Sequence, residues 1–239
     1  MVKQITSKAN SKIKFIVSLQ NSKTRKEHKL FLAEGYKSLA MALDTKLVKE
    51  IYTLKELPDV NKDIPQYVVS EEIMDKISTS KSPEGVVFVC EIPTNPSYKE
   101  EKLIYLDHVS DPGNAGTIIR TALAFGYDAV IFSNDSVDIY NEKVISATKG
   151  AIFAIPVVKK DIKEIKKDHQ IICSTLSNKS VNLEDAKAKK SFILVLGNES
   201  HGVSEEVVKM SDLLVKIPMN VMDSLNVSIA AGILMYYFK

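Results

Sequence analysis

Apolar positions along the chain recur at two spacings, and their alternation lays out two segments. Residues 7–20, SKANSKIKFIVSLQ, place Ile13, Ile16, Val17 and Leu19 at helical spacing. KLFLAE then reads as a strand, GYKSLAMALD as a helix, KEIYTL and QYVVS as strands, EEIMDKIS as a helix and GVVFVCE as a closing strand. This predicts a small α/β sandwich over residues 1–93. Beyond it the strands become stronger: LIYLDHV, AVIFS, AIPVV, QIICST, FILVLG and LLVKIP are short, almost unbroken apolar runs. Such runs predict parallel strands buried on both faces, with helices covering them. The stretch EIPTNPSYKEEK, with its prolines and charge run, joins the two and predicts a linker over 94–101. The second domain is then 102–239.

The last apolar run differs from all others. From Leu225 to Phe238 it is apolar almost all the way round a helix, yet Ser224, Asn226 and Ser228 crowd its first turn. A helix without a polar face must be buried somewhere, and this one is too short to span a bilayer. Asp223 or Ser224 can cap it. Asn226 carries several donor and acceptor sites that burial would require to be satisfied, by a structural network or by a ligand.

Composition narrows the class. With 239 residues, 45% hydrophobic and 26% charged, the chain has the make-up of an ordinary globular protein. Cys90 and Cys173 lie far apart inside apolar strands, which predicts buried thiols in a reducing compartment rather than a disulfide. The four histidines are scattered and no CxxC or HExxH spacing occurs, so no metal is expected. The N-terminus lacks an apolar signal segment, which predicts a cytoplasmic protein with no membrane partner. Net charge is only +2, but Lys3, Lys8, Lys12, Lys14, Lys23, Arg25, Lys26 and Lys29 face a single acid, Glu27, within the first thirty residues. Such an arm is either a solvated basic helix or a contact for a polyanion such as RNA. For RNA, Lys12, Lys23, Arg25 and Lys26 are the candidate contacts.

In open parallel sheets, ligands gather beyond the carboxyl ends of strands, and three loops there carry unusual residues. After LIYLDHV comes SDPGNAGTIIRTALAFG, a turn in which Asn114 can cap a helix running to Gly126. Arg120, among Ile118, Ile119, Leu123 and Ala124, must find an anion: a ligand, or an acid such as Asp107 or Asp111. After FILVLG comes NESHG, where Gly197 and Gly202 bracket Glu199. This is an ordinary strand-to-helix turn or a place where backbone approaches a ligand and the acid points into a cleft. After LLVKIP comes MNVMDSLNVS. Neither GxGxxG nor a Walker lysine is present, so nicotinamide and nucleoside-triphosphate readings lack their motifs.

Taken in order, DPGNAGTIIRTALAFG, VLGNESHG and IPMNVMDSLNVSIAAGIL closely resemble the three motifs of the SpoU (TrmH-like) RNA ribose 2′-O-methyltransferases of the SPOUT class. The resemblance spans Leu103 to Phe238, and the first segment, with FLAEGYKSLAMALD, resembles the small RNA-binding domain that many members carry. In one respect the chain departs: four residues without glycine, Asn220 to Asp223, separate IPM from SLN where many members have five. A tighter cofactor loop is expected there.

The resemblance implies a trefoil-knotted parallel-sheet domain preceded by the small α/β domain. It implies methyl transfer from S-adenosylmethionine to a ribose 2′-hydroxyl, in 23S ribosomal RNA more than in transfer RNA. Cofactor contacts are expected from Thr175, Leu176, Leu196, Gly197, Asn198, Gly202, Ile217, Met219, Ser224, Leu225 and Asn226. The catalytic positions are Arg120, Asn114, Glu199 and Asn226. Arginine is always protonated, so Arg120 is expected to grip an RNA phosphate and stabilise the developing alkoxide rather than act as base. A homodimer through the last helix is also implied, with Arg120 serving either its own or the partner's pocket. The alternatives are a transfer-RNA enzyme, an antibiotic-resistance methyltransferase of the same architecture, and a non-catalytic RNA binder that kept the fold.

Overall fold

Strands of the first unit are apolar on both faces, so its sheet takes helices on both. The computed structural model describes residues 2–221 and 224–239. They divide into two compact units, Met1–Thr94 with Tyr140–Phe153, and Asn95–Ile139 with Ala154–Lys239.

The first unit runs β1 (Val2–Ile5), α1 (Ser11–Ser18), α2 (Ser22–His28), β2 (Leu30–Glu34), α3 (Tyr36–Leu43), β3 (Val48–Thr53), β4 (Gln66–Val69), α4 (Glu71–Ile77) and β5 (Val86–Glu91). Its mixed sheet has the order β1-β4-β3-β5-β2, with β4 parallel to both neighbours and β5 antiparallel to its own. Leu32, Tyr52, Val87 and Val89 meet Ile13, Ile16 and Leu19 of α1 and Ile73, Met74 and Ile77 of α4. On the opposite face Phe31, Ala33, Ile51, Phe88 and Cys90 meet Leu39 and Ala42 of α3. Each of the larger aliphatic and phenylalanine side chains, fully buried, contributes roughly 1.5–3 kcal/mol. Ile145, Tyr140, Ile152 and Phe153 join this second face. They come from an excursion of the later chain that includes a helix at Glu142–Thr148.

The sequence reading took Arg25 as an RNA contact, and the structure corrects it. Arg25 is 4% exposed, and its guanidinium donates to the carbonyls of Leu19 (3.1 Å) and Gln20 (2.8 Å) at the end of α1. Helix ends leave carbonyls without partners, and a cation there also opposes the helix dipole. Lys12 is partly committed too: its ammonium meets Glu50 at 2.6 Å and lies over the Tyr67 ring. Burial alone would lower its pKa, but Glu50 and Tyr67 outweigh that and raise it. Lys23 and Lys26 are exposed.

The second unit runs β6 (Lys102–Leu106), α5 (Pro112–Ala124) and β7 (Ala129–Phe132), then gives off the excursion, whose helix is α6 (Glu142–Thr148). It resumes with β8 (Val157–Lys159), α7 (Ile162–Ile165), β9 (Gln170–Ser174), β10 (Val181–Asn182), β11 (Phe192–Leu196), α8 (Glu205–Met210), β12 (Leu213–Lys216) and α9 (Val227–Tyr237). Seven strands pair in the order β10-β12-β9-β11-β6-β7-β8, every pair parallel. Leu103, Tyr105, Ile131, Ile171, Ile193 and Val195 pack with Ile162 and Ile165 of α7 and Val207 of α8. The alternate positions Ile104, Leu106, Val130, Phe132, Ile172 and Leu194 are buried as well. Helices α5 and α9 pack together, and Phe192 touches the rings of Tyr127 and Phe238. Because all strands run one way, the loops after β6, β9, β11 and β12, four adjacent strands, emerge at one edge.

Both cysteines are free and buried. Burial pushes the Cys173 thiol up to about 12 and raises that of Cys90 further, which keeps both unreactive at neutral pH. Among the described residues no helix is long and apolar enough to cross a membrane.

Candidate active site

The loop after β6 is organised by two aspartates. Asp107, 1% exposed, accepts the Ser204 amide at 2.7 Å and meets His108 Nδ1 at 2.8 Å. His108 itself is held at φ +57°, a left-handed conformation that histidine, asparagine and aspartate adopt more readily than other side chains. Asp111 caps α5 by accepting the Asn114 amide at 2.7 Å, with Pro112 opening the helix. Asn114 was expected as that cap; it lies one position inside the first turn's end instead. The reason is local: proline suits the first helical position, where its missing N–H costs nothing, so the residue before it becomes the cap. The Asn114 side chain is thereby released for other partners.

It finds two of the other expected site residues. Asn114 Nδ2 donates to Glu199 Oε1 at 3.1 Å, and Asn114 Oδ1 accepts from Asn226 Nδ2 at 2.9 Å. Glu199 also accepts from the Ser110 hydroxyl (3.3 Å) and from the amides of Ser110 (3.4 Å) and Asp111 (3.3 Å). Burial pushes its carboxyl upward, but the bonds from Asn114 and the backbone amides outweigh burial and hold it below the usual carboxylate range. Glu199 is therefore ionised at neutral pH, and its carboxylate fixes the Asn114 amide.

The third loop carries a second correction. Helix α9 begins at Val227 and is capped by Asn226, whose Oδ1 accepts from the Ser228 amide (2.8 Å), the Ser228 hydroxyl (2.6 Å) and the Ile229 amide (3.4 Å). Ser224 does not cap it. Asp223, the other expected cap, lies outside the described residues, as does Met222 of the shortened loop. The Asn226 side chain binds the first free amides of the helix, so the helix starts two residues later than its apolar run suggests.

Loops after β9, β11 and β12 enclose a cleft of about 330 Å³. Thr175, Leu176, Leu196, Gly197, Asn198, Gly202, Ile217, Met219, Ser224 and Leu225 all line it, together with Glu199 and, unforeseen, Ser174, Lys216, Val227 and Ala230. Asn226 is beside this lining and not part of it. Leu176 and Leu225 are 56% and 39% exposed, apolar walls without a protein cover. The loop after β11 is closed by reciprocal Asn198–Gly202 backbone bonds of 2.9 Å, with Asn198 Nδ2 tied to the His108 carbonyl at 2.8 Å. Gly197 is required for chain packing: a Cβ there would fall 2.1 Å from the Gly202 carbonyl carbon. Gly202 has φ +70°. A cleft that sets Leu176, Ile217 and Leu225 beside polar groups suits an adenine and a sulfonium better than a phosphate.

Arg120 is not drawn into this cluster. It is exposed on α5 and makes no hydrogen bond or ion pair among the described residues, so neither Asp107 nor Asp111 holds it. Six residues at about 100° each turn it roughly 120° away from Asn114 around the helix. Ser110, which completes the bonding of Glu199, was missed, and nothing but its place in the motif marks it; Ser228, noted among the polar groups of the last helix's first turn, completes the bonding of Asn226. Among the described residues no group of His, Cys, Asp and Glu could hold a metal ion.

Residues 101–236 match the SpoU rRNA Methylase family, and residues 10–87 match the MRM3-like substrate binding domain. The chain belongs to the SpoU rRNA methylase family. It is 33% identical over the full length of both chains to the 23S rRNA (guanosine(2553)-2′-O)-methyltransferase RlmP of Bacillus subtilis (strain 168). A solved structure of an AdoMet-bound rRNA methyltransferase from Sinorhizobium meliloti superposes with a TM-score of 0.88 at 31% identity, covering 99% of this chain and 97% of that one. By contrast, the A. aeolicus TrmH/SpoU tRNA modifying enzyme, at 29% identity and a TM-score of 0.51, covers 58% of this chain and 74% of its own. As a SpoU-family protein the chain is an RNA methyltransferase by fold and motif.

Proposed function

We propose that this protein methylates a ribose 2′-hydroxyl of 23S ribosomal RNA, using S-adenosylmethionine held in the cleft after β9, β11 and β12. The observation that carries this reading is the junction of that cleft with the Glu199–Asn114–Asn226 chain, where all three motif loops meet. Full-length likeness to a ribosomal-RNA enzyme, against partial likeness to a transfer-RNA enzyme, supports the choice of RNA. Such a substrate goes with a cytoplasmic location.

S-adenosylmethionine supplies an electrophilic methyl group. Leu176, Leu225 and Ile217 cover apolar surface, while the rigid Gly197–Gly202 loop fixes the cleft's shape before any ligand arrives, which lowers the cost of binding. Glu199 and Asn226 lock the Asn114 amide, leaving it positioned to orient a sugar hydroxyl. Arg120, permanently charged, holds an RNA phosphate and stabilises negative charge developing on that hydroxyl.

We further read the chain as a homodimer. Ile229, Ile233 and Tyr236 form an exposed apolar stripe on α9, with Ile229 56% and Tyr236 60% exposed, and such a patch marks an interface. Pairing through α9 and the neighbouring α5 would let Arg120, facing away from its own Asn114, serve the partner's site. The trefoil path is supported by connectivity: after β12, near one end of the sheet order, the chain returns to place α9 against α5, which follows β6.

Incubating the protein with methyl-labelled S-adenosylmethionine and unmodified 23S or transfer RNA tests the reading, with label expected on 23S ribose. Label on transfer RNA alone would overturn the substrate. Calorimetry without heat on cofactor addition would leave a non-catalytic RNA binder.

A further inference from the structure

Arg25 is buried and Lys12 is held by Glu50, which leaves Lys14, Lys23, Lys26 and Lys29 as exposed cations along the N-terminal helices, a surface suited to phosphates rather than to reading a base. The first unit has a better-built feature elsewhere. A polar cleft of about 480 Å³ is bounded by Glu34 at the end of β2, by Ser78, Thr79 and Ser80 after α4, and by α6 with Lys143, Ser146 and Lys149. All of these residues belong to the first unit.

Glu34 is the organised group within it. Its Oε2 accepts from the Ser78 hydroxyl at 2.5 Å and its Oε1 from the Thr79 hydroxyl at 2.9 Å. A carboxylate offers about four acceptor positions, so one per oxygen is used and one per oxygen remains. The two hydroxyls restrain the carboxylate and leave further acceptor capacity on each oxygen. Glu142 also lines the cleft, so two carboxylates face it, which disfavours a bare phosphate and favours a ligand rich in N–H and O–H donors. Lys143 and Lys149, both exposed, supply positive charge on the same cleft.

We propose that this cleft receives an unpaired nucleotide of the substrate RNA, with Glu34 reading a base that presents two adjacent N–H donors, the Watson–Crick edge of guanine. Lys143 and Lys149 hold the flanking phosphates. This rests on the function proposed above only in taking the occupant to be RNA. Guanine N1–H and N2–H₂ match two parallel acceptors; adenine, cytosine and uracil each offer fewer donors beside one another. Recognition of single-stranded RNA commonly works this way, through unstacked bases read on their edges.

The test uses the full chain and two single-stranded uridine heptamers, one with a central guanosine and one with a central adenosine, followed by fluorescence anisotropy. Wild type is expected to bind the guanosine heptamer about tenfold more tightly, the scale of a bidentate contact. Glu34→Gln, which replaces an acceptor by a donor, should abolish that preference while leaving S-adenosylmethionine affinity unchanged. Ser146→Trp, a change at an exposed position of α6, should block the cleft and give the same loss. Lys143→Ala should weaken both heptamers equally and reduce the salt dependence. Equal binding of the two heptamers by wild type, or a preference that survives in both Glu34→Gln and Ser146→Trp, overturns the proposal. Failure of the wild type to methylate 23S rRNA overturns the function above and leaves the heptamer result standing.

Discussion

The two clefts differ in the side chains that line them. The one in the second unit sets exposed leucines, Leu176 and Leu225, beside Glu199, Lys216 and a loop packed tightly through Gly197. In the first unit the cleft is lined by carboxylates, hydroxyls and ammonium groups. Exposed leucines beside a few polar groups suit one small molecule with a flat apolar face; hydroxyls and charges alone suit a larger ligand recognised by donors and phosphates. If the proposals above hold, the difference reflects a division of labour: the second unit holds the reagent and the first selects the RNA.

The strongest way to break this comparison is to change the rigid loop. Gly197→Ala forces a Cβ to within 2.1 Å of backbone that cannot move without opening the Asn198–Gly202 pair. A loss of at least about 3 kcal/mol in stability is expected, with cofactor binding abolished, as read by thermal melts and calorimetry. Gly202→Ala meets nothing within 4 Å, and only its φ of +70° opposes it. That variant should cost about 1 kcal/mol.

Arg120→Ala comes next. The side chain is exposed and touches nothing described, so folding and cofactor affinity should not change. Turnover should fall roughly 100-fold or more, the scale of losing one charge-stabilising donor. A variant with normal cofactor binding and near-wild-type turnover would remove Arg120 from the chemistry.

A third contrast separates basic residues that look alike in sequence. Arg25→Met leaves the Leu19 and Gln20 carbonyls without their donor and should destabilise the protein by about 2 kcal/mol. Lys26→Ala, one residue on and exposed, should change stability by less than about 0.5 kcal/mol. Urea unfolding distinguishes them.

These residues also show what the sequence could reveal. The parallel strands of the second unit were legible because burial on both faces demands unbroken apolar runs such as FILVLG. The motif loops were legible because three of them follow such strands in order, and all ten of the expected cofactor positions other than Asn226 line one cleft. Strand β1 was not, since VKQI is an edge strand with three of four residues exposed and no alternation to read. Nor was α2, whose SKTRKEH sequence has no apolar face. Burial of Arg25 depends on carbonyls supplied by the preceding helix end, which charge counting does not see. The polar cleft of the first unit was least visible: Glu34, Ser78 and Lys143 come from separate stretches, one of them the excursion at residues 140–153. Cap positions were misread at both motif helices, late by three residues at α5 and early by two or three at α9, because apolar spacing marks where a helix is buried and side-chain hydrogen bonds decide where it starts.

The smallest effect probes the link between the caps and the site. Asn226 has two tasks: Oδ1 caps α9, and Nδ2 donates to Asn114. Asn226→Asp preserves the cap acceptor and removes only the donor, while placing negative charge against Asn114 Oδ1. Asn114 can relieve that repulsion by turning its amide toward the new carboxylate, but Glu199 then loses its 3.1 Å bond. A double-mutant cycle of Asn226→Asp with Asn114→Ala, read in turnover, should therefore give a coupling of about 1 kcal/mol. Were the two changes strictly additive, Asn226 would be a cap alone, and the Glu199–Asn114 pair would orient the hydroxyl without help from the last helix.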